Sequence, residues 1–274
     1  MGEAATKQSA TQKFIQLYSE CCFCAGQRRS TTREHMPPKA LFDNSHRPDK
    51  LVMPSCDECN KGTSTADLTA AIVSRWEYDA TRTSNFDHGK LANRARRQAP
   101  ALVEEWLQFE SPIQTIKGRN HLKDQGVPVP EDAAIVTIGP LTIQLLNLFA
   151  HKAVLALYFE HFRQPLSVAG AFCAFWTTKE DYARDGLPQS LLEMLPGYGT
   201  LIQGRWDERE TFEYRHAVNS AEGLFGFFAR LRRGLFISGF AVNGANKVSS
   251  NDIDWVKPGN LLNLLDSPRF QIKL

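Results

Sequence analysis

Two Cys-x-x-Cys pairs constrain this chain more than any other feature of its sequence. Cys21 and Cys24 form the first pair, Cys56 and Cys59 form the second, and residues 25–55 separate them. Four thiolates complete the tetrahedral shell of a structural zinc ion and leave no open position for a substrate. Five of the six cysteines lie in the first 59 residues, and the N-terminal residues lack the apolar stretch of a secretory signal. The pattern therefore indicates a zinc site rather than disulfides.

The composition is that of a globular protein, which we expect to be cytoplasmic. The chain has 274 residues, 42% of them hydrophobic, and a formal net charge of 32 − 30 = +2. So small a charge excludes tight, non-specific coating of nucleic acid or of an acidic membrane, so any anion-binding surface must be local. The longest apolar stretch, Leu141 to Phe162, is interrupted by polar and charged residues that include Lys152. This pattern predicts a buried helix and no membrane partner.

We expect an α+β fold organised in three sectors. Residues 1–90 hold a lead-in helix and both cysteine pairs, and residues 91–130 form a basic linker or connecting helices. Residues 131–274 form a larger α+β domain whose role the sequence does not assign. Within that domain, buried strands are predicted on either side of the long helix, and three apolar or alternating runs predict a β-meander. The predicted strands are Ala133–Ile138 and Val168–Trp176, and the runs of the meander are Thr211–Val218, Leu224–Leu231 and Leu235–Val242.

The candidate catalytic residues lie between the two cysteine pairs, in residues 25–55, and just after the second pair. Glu34-His35 is followed by Pro37-Pro38, which predicts a strand that ends in a sharp turn and exposes the imidazole. Asn60 follows the second cysteine pair directly, and Ser64 to Asp67 match a capping box at the start of a helix. Zinc would therefore tie the His35 strand to the start of that helix.

Together these residues resemble the zinc-supported HNH, or ββα-metal (His-Me finger), endonucleases. The resemblance covers about residues 20–80 and is carried by the paired Cys-x-x-Cys motifs, the acid–His dipeptide and the Cys-Asn end of the second pair. It implies a zinc-stapled ββα-metal finger in which a β-hairpin and a helix hold one divalent ion, Mg²⁺ or Mn²⁺. It also implies a hydrolase that cleaves nucleic-acid phosphodiester bonds.

The resemblance assigns roles to three residues. His35 matches the general base, Glu34 matches the acidic ligand of the divalent ion, and Asn60 matches the second ligand. An imidazole suits this task, because its usual pKa of about 6.5 lets it deprotonate water near neutral pH. The middle asparagine of the family is missing from its expected position near Lys50, which leaves an inactive finger as an alternative.

The expected partner is nucleic acid, with DNA favoured over RNA, and the C-terminal sector is a candidate surface for a protein partner or for homo-oligomerisation. A non-catalytic zinc-binding module that recognises nucleic acid or protein is the main alternative, since it needs the cysteines and not His35. A finger that acts as the effector of a C-terminal sensor is a third possibility. Basic residues near the motif are candidate contacts to backbone phosphates: Arg28, Arg29, Arg33, Lys39 and Lys61.

Overall fold

The computed structural model describes residues 9–43, 47–76, 85–108, 111–126, 129, 135–179, 181–182, 186, 189–203, 206–244, 254–259 and 261–264. The helices are α1 (Ala10–Leu17), α2 (Asp57–Gly62), α3 (Ser64–Val73), α4 (Asn85–Gln98), α5 (Pro100–Trp106), α6 (Pro112–Asp124), α7 (Pro140–Phe162) and α8 (Gln189–Glu193). The strands are β1 (Thr32–His35), β2 (Val52–Ser55), β3 (Ala171–Thr178), β4 (Gly197–Thr200), β5 (Ile202–Gln203), β6 (Trp206–Asp207), β7 (Phe212–Asn219), β8 (Leu224–Leu231) and β9 (Leu235–Val242).

The fold is α+β, as predicted, and its largest sheet is antiparallel throughout. Five strands are ordered β3-β9-β8-β7-β4, and the three runs predicted as a meander form β7, β8 and β9 with direct neighbour pairing. Alternation along β8 sends Phe225, Phe227 and Ala229 into the core, because successive side chains of a strand point to opposite faces. The described part of the predicted strand at 133–138, residues 135–138, has no strand structure.

The long helix α7 is the centre of the molecule. Pro140 occupies its first turn, and the Glu105 carboxylate of α5 accepts hydrogen bonds from the Leu141 and Thr142 amides at 2.8 and 2.9 Å. This carboxylate satisfies amides that have no partner within the helix. By length and composition α7 could cross a membrane, but 78% of its most apolar window is buried inside the fold, as in a core helix.

The N-terminal segment packs against α7 and the turn after β8. Strands β1 and β2 form a separate antiparallel pair, in which His35 faces Val52 and Thr32 faces Ser55. The Tyr18 ring packs edge-on against Phe159 of α7, and one continuous core joins the N-terminal and C-terminal sectors. The predicted domain boundaries at residues 90 and 130 stay a prediction, although side-chain contacts cross both of them.

The start of α3 differs from the sequence-based prediction. Thr63 occupies the N-cap position without a capping side-chain hydrogen bond, so the capping box predicted at Ser64 does not form. Asp67, which was to close that box, instead lies 8% exposed in the interior and binds Lys152 of α7. An unpaired buried ammonium group costs more than an uncapped helix end, so pairing with Lys152 takes precedence over helix capping.

Candidate metal centre and active site

The four cysteines of the two Cys-x-x-Cys pairs converge on one point. Cys21 is the N-cap of a short 3-10 turn that ends at Cys24, Cys56 is the N-cap of α2, and Cys59 lies in that helix. Their sulfur atoms all lie within 4.8 Å of one another, and all four residues are buried. A tetrahedral zinc ion with bonds of about 2.3 Å would hold its sulfurs roughly 3.8 Å apart, so the tetrad fits such an ion. Among the described residues, this is the one cluster of three or more histidine, cysteine or acidic side chains close enough to share a metal.

The backbone at the first cysteine pair turns so that both sulfurs face the same way. Ala25 and Gly26 adopt the left-handed region, with φ of 53° and 74°, and the Gly26 amide donates to the Cys21 carbonyl at 3.0 Å. Hydrogen bonds from the thiols of Cys21 and Cys59 lower the pKa of the Cys24 thiol to about 4. Hydrogen bonds with Cys21 and Cys24, together with burial, raise the pKa of the Cys59 thiol, so the thiolate, which is the form that binds metals, is favoured at Cys24 and not throughout the tetrad.

His35 ends β1 on the face that points away from the core. Its Nε2 lies 3.4 Å from Asp49 Oδ1, and Arg33 donates to both Asp49 oxygens at 2.7 and 2.8 Å. The imidazole is 20% exposed, less than the turn at Pro37-Pro38 predicted. Burial, with Arg47 and Lys39 adding to it, lowers the pKa of His35 to about 4, so the ring is neutral at pH 7.

Glu34 points to the opposite face of β1, into the core. Its Oε1 accepts a hydrogen bond from Lys152 Nζ at 2.9 Å, and the two oxygens of Asp67 accept from the same nitrogen at 2.9 and 2.7 Å. The Lys152 side chain is completely buried and lies over the Phe23 ring at 5.7 Å. Burial raises the pKa of both carboxyls, while the ammonium group opposes that rise. Glu34 is therefore part of a buried ion cluster.

Asn60 lies on the Glu34 side of the strand. Its Nδ2 donates to Thr32 Oγ1 at 3.2 Å, and Thr32 shares a strand face with Glu34 because the two are separated by one residue. The structure thus places Glu34 and Asn60 on one side of β1 and His35 on the other. The roles of all three residues stay predictions.

The five candidate phosphate-binding residues divide into two groups. Arg33 and Lys39 lie near His35. Arg33 binds Asp49, which faces the imidazole, and the charge of Lys39 helps to lower the pKa of His35. Three others lie nearer the cysteine tetrad: Arg28 pairs with Glu58 at 3.1 Å, Lys61 pairs with Asp57 at 2.7 Å, and Arg29 is exposed.

Three residues at these sites were missed by the sequence analysis. Asp49 faces His35, Arg47 lies between them in the chain, and Lys152 binds Glu34. Lys152 did carry a signal, since it is the single lysine in the apolar run of α7 and was interpreted only as an interruption. Asp49 and Arg47 carried none, because their contacts depend on the shape of the connection from β1 to β2.

The chain matches no protein-family model and has no significant match among curated proteins or solved structures. The resemblance to HNH endonucleases therefore depends on the residues named above, and the geometry around His35 and the cysteine tetrad carries the functional proposal.

Proposed function

We propose that this protein is an endonuclease of the HNH type that hydrolyses phosphodiester bonds in nucleic acid, with DNA as the favoured substrate. The observation that carries the proposal is the His35–Asp49 pair at the end of β1. A neutral, half-buried imidazole there faces a carboxylate, with Arg33 and Lys39 beside it. A proton acceptor next to cationic side chains is the combination that attack of water on a phosphodiester requires.

In this proposal His35 accepts a proton from the attacking water. When His35 Nε2–H donates to Asp49, the free lone pair of the ring is on Nδ1, and Asp49 stabilises the imidazolium that forms. Lys39 and Arg33 bind the phosphate oxygens. The negative charge of a bound phosphodiester raises the pKa of His35 from about 4 towards neutrality, which strengthens the base.

We assign zinc to the cysteine tetrad as a structural ion, because four thiolates leave no position for a substrate. A catalytic Mg²⁺ or Mn²⁺ would stabilise charge on the phosphorane and on the leaving oxygen. Glu34 does not fit such an ion as it stands, because Lys152 neutralises it in the interior. A divalent ion on Glu34 and Asn60 would require Lys152 to leave this carboxylate, so the steps above use only residues of the chain.

The first test is His35→Ala in a plasmid-nicking assay with Mg²⁺ and with Mn²⁺. We expect the wild-type rate to fall by about 10²- to 10⁴-fold, the usual contribution of a general base. His121→Ala is the matched control, since that imidazole is exposed on α6 and contacts Gln125. Nicking by the wild type should require added Mg²⁺ or Mn²⁺, so a reaction with the zinc-loaded protein and neither of these ions is the second control. Equal nicking by the wild type and His35→Ala would exclude His35 as the base.

A second test separates the two acidic residues that flank β1. We expect Asp49→Asn to lower the nicking rate with little change in the melting temperature, because Asp49 is exposed and faces the imidazole. We expect Glu34→Gln to lower the melting temperature, because Lys152 loses one of its two carboxylate partners. Loss of metal-dependent nicking in Glu34→Gln at an unchanged melting temperature would instead support Glu34 as a metal ligand.

The Glu34–Lys152 ion pair favours a second candidate, a zinc-stabilised module that binds nucleic acid or protein without cleavage. In such a module the acidic residue of the Glu-His dipeptide serves only to attach β1 to α7. Binding of labelled DNA that is unchanged in His35→Ala, without nicking by either protein, would support this function.

A further inference from the structure

We propose that Arg47 is a positioning residue that holds His35 and Asp49 in contact, an inference that rests on the proposed function of that pair. Arg47 lies in the connection between β1 and β2 and is 7% exposed. A buried guanidinium requires a partner for each of its donors, because an unpaired buried donor is costly. The partners of Arg47 are therefore informative about its role.

All five N–H groups of the Arg47 guanidinium are directed at backbone carbonyl oxygens. Nε donates to the Pro37 carbonyl at 2.8 Å, and the terminal nitrogens donate to four more. These are the carbonyls of Met36 at 3.0 Å, Pro48 at 2.6 Å, Lys50 at 2.7 Å and Leu51 at 3.4 Å. The guanidinium carbon also lies 5.6 Å from the centre of the Phe42 ring.

These carbonyls belong to the two stretches of chain that carry His35 and Asp49. Met36 and Pro37 follow His35 directly, while Pro48, Lys50 and Leu51 surround Asp49. One planar group thus bridges the end of β1 and the segment that enters β2. Because the His35–Asp49 contact joins the same two stretches, its geometry depends on this bridge.

Lysine cannot take over the role of Arg47. An ammonium group offers three donors from one point, whereas the guanidinium offers five donors in a fixed plane. The missing middle asparagine of the HNH pattern thus has a physical substitute in this chain, since a side chain that fixes the connection is present at position 47. Asn44, the one asparagine between the two cysteine pairs, precedes the expected position near Lys50 and lies outside the described residues.

The test compares Arg47→Ala and Arg47→Lys with the wild type in the zinc-loaded full-length protein. We expect the kcat of plasmid nicking to fall by about 100-fold with KM changed far less, since small displacements of catalytic groups cost rates of this order. Guanidinium ion at non-denaturing concentrations should restore part of the rate to Arg47→Ala and none to His35→Ala. Arg75→Ala is the matched control, because Arg75 is also nearly buried and bonds the Leu41 carbonyl and Asp43 in the same connection, away from His35.

A second readout does not depend on nuclease activity. Reaction of His35 with diethyl pyrocarbonate, followed by mass spectrometry, reports whether the imidazole is still held against Asp49. We expect faster modification in Arg47→Ala and in Arg47→Lys, slowed by guanidinium in the alanine variant, and wild-type rates in Arg75→Ala. Unchanged modification of His35 in both Arg47 variants would overturn the inference even if nicking falls. If the wild type does not nick DNA, the proposed function fails, and the modification rates still decide whether Arg47 positions His35.

Discussion

Lys152→Met is expected to lower the free energy of unfolding by about 3–5 kcal/mol, because it leaves two buried carboxylates without their shared cation. Lys152 has no exposed surface, and Glu34 and Asp67 accept all of its observed hydrogen bonds to side chains. Chemical denaturation of the purified variant measures the loss. A change below about 1 kcal/mol, the usual range for exposed pairs, would contradict this account of the cluster.

The pH dependence of the stability of Lys152→Met identifies why its free energy of unfolding is lower. Burial already raises the pKa of Glu34 and Asp67, and removal of Lys152 removes the charge that opposes this rise. The folded state then holds protons that the unfolded state releases, so the stability of Lys152→Met should fall as the pH rises above the usual carboxyl pKa of about 4 and recover at lower pH. A deficit that is independent of pH would indicate lost packing instead.

Two further variants serve as controls for Lys152→Met. Lys61→Met removes an ion pair of the same length, 2.7 Å to Asp57, but one that is exposed, so we expect little change in stability. Combining Lys152→Met with Glu34→Gln and Asp67→Asn removes every charge of the cluster. The triple variant should regain much of the lost stability, because neutral buried groups cost less than unpaired buried ions.

Loss of zinc is expected to unfold the N-terminal segment. The elements that the tetrad joins are short, since β1 and β2 have four residues each and α2 has six. Elements of this length are not stable alone. In zinc-finger peptides the ion contributes about 10–16 kcal/mol of apparent binding free energy, comparable with the whole stability of a domain. We therefore expect Cys24→Ser, or dialysis against a strong chelator, to abolish cooperative melting of residues 20–75.

The measurement is the zinc content of the purified protein together with its melting curve. We expect one zinc ion per chain in the wild type and less in Cys24→Ser. Substitution with cobalt should give thiolate-to-metal absorption in the wild type and not in Cys24→Ser. Cys22→Ala is the matched control, because Cys22 is fully buried beside the tetrad without belonging to it. Cys24→Ser with a full zinc content and an unchanged melting curve would show that the tetrad is not a metal site.

Sequence patterns predicted the elements that are marked by runs of apolar or alternating residues. The three strands of the meander fall within one residue of the predicted runs, and α7 begins within one residue of the predicted helix. The cysteine tetrad was predicted from spacing, because a Cys-x-x-Cys turn brings its sulfurs together largely by local geometry.

The side-chain partners around Glu34 and His35 could not be predicted in the same way. Lys152 lies 118 residues from Glu34, and local periodicity carries no information on a contact of that separation. Arg47 and Asp49 take their positions from the connection between β1 and β2, where hydrogen bonds to backbone carbonyls rather than a sequence repeat decide the conformation. Glu34 and His35 are adjacent in the sequence, but successive side chains of a strand point to opposite faces, so the two residues lie on opposite sides of β1.

Because Glu34 and Lys152 are 118 residues apart, the ribosome synthesises them at well-separated times. The ribosome has made the cysteine tetrad and both strands of the N-terminal pair long before α7 leaves its exit tunnel. Until that helix emerges, Glu34 and Asp67 lack the ammonium partner that they have in the folded protein and must stay hydrated, so the proposed metal site is complete in the chain before the interior is. A pause in translation before codon 152 would therefore leave a nascent segment that has its cysteine tetrad but lacks the buried cation of its interior, and this segment would be exposed to the proteases and chaperones of the cell.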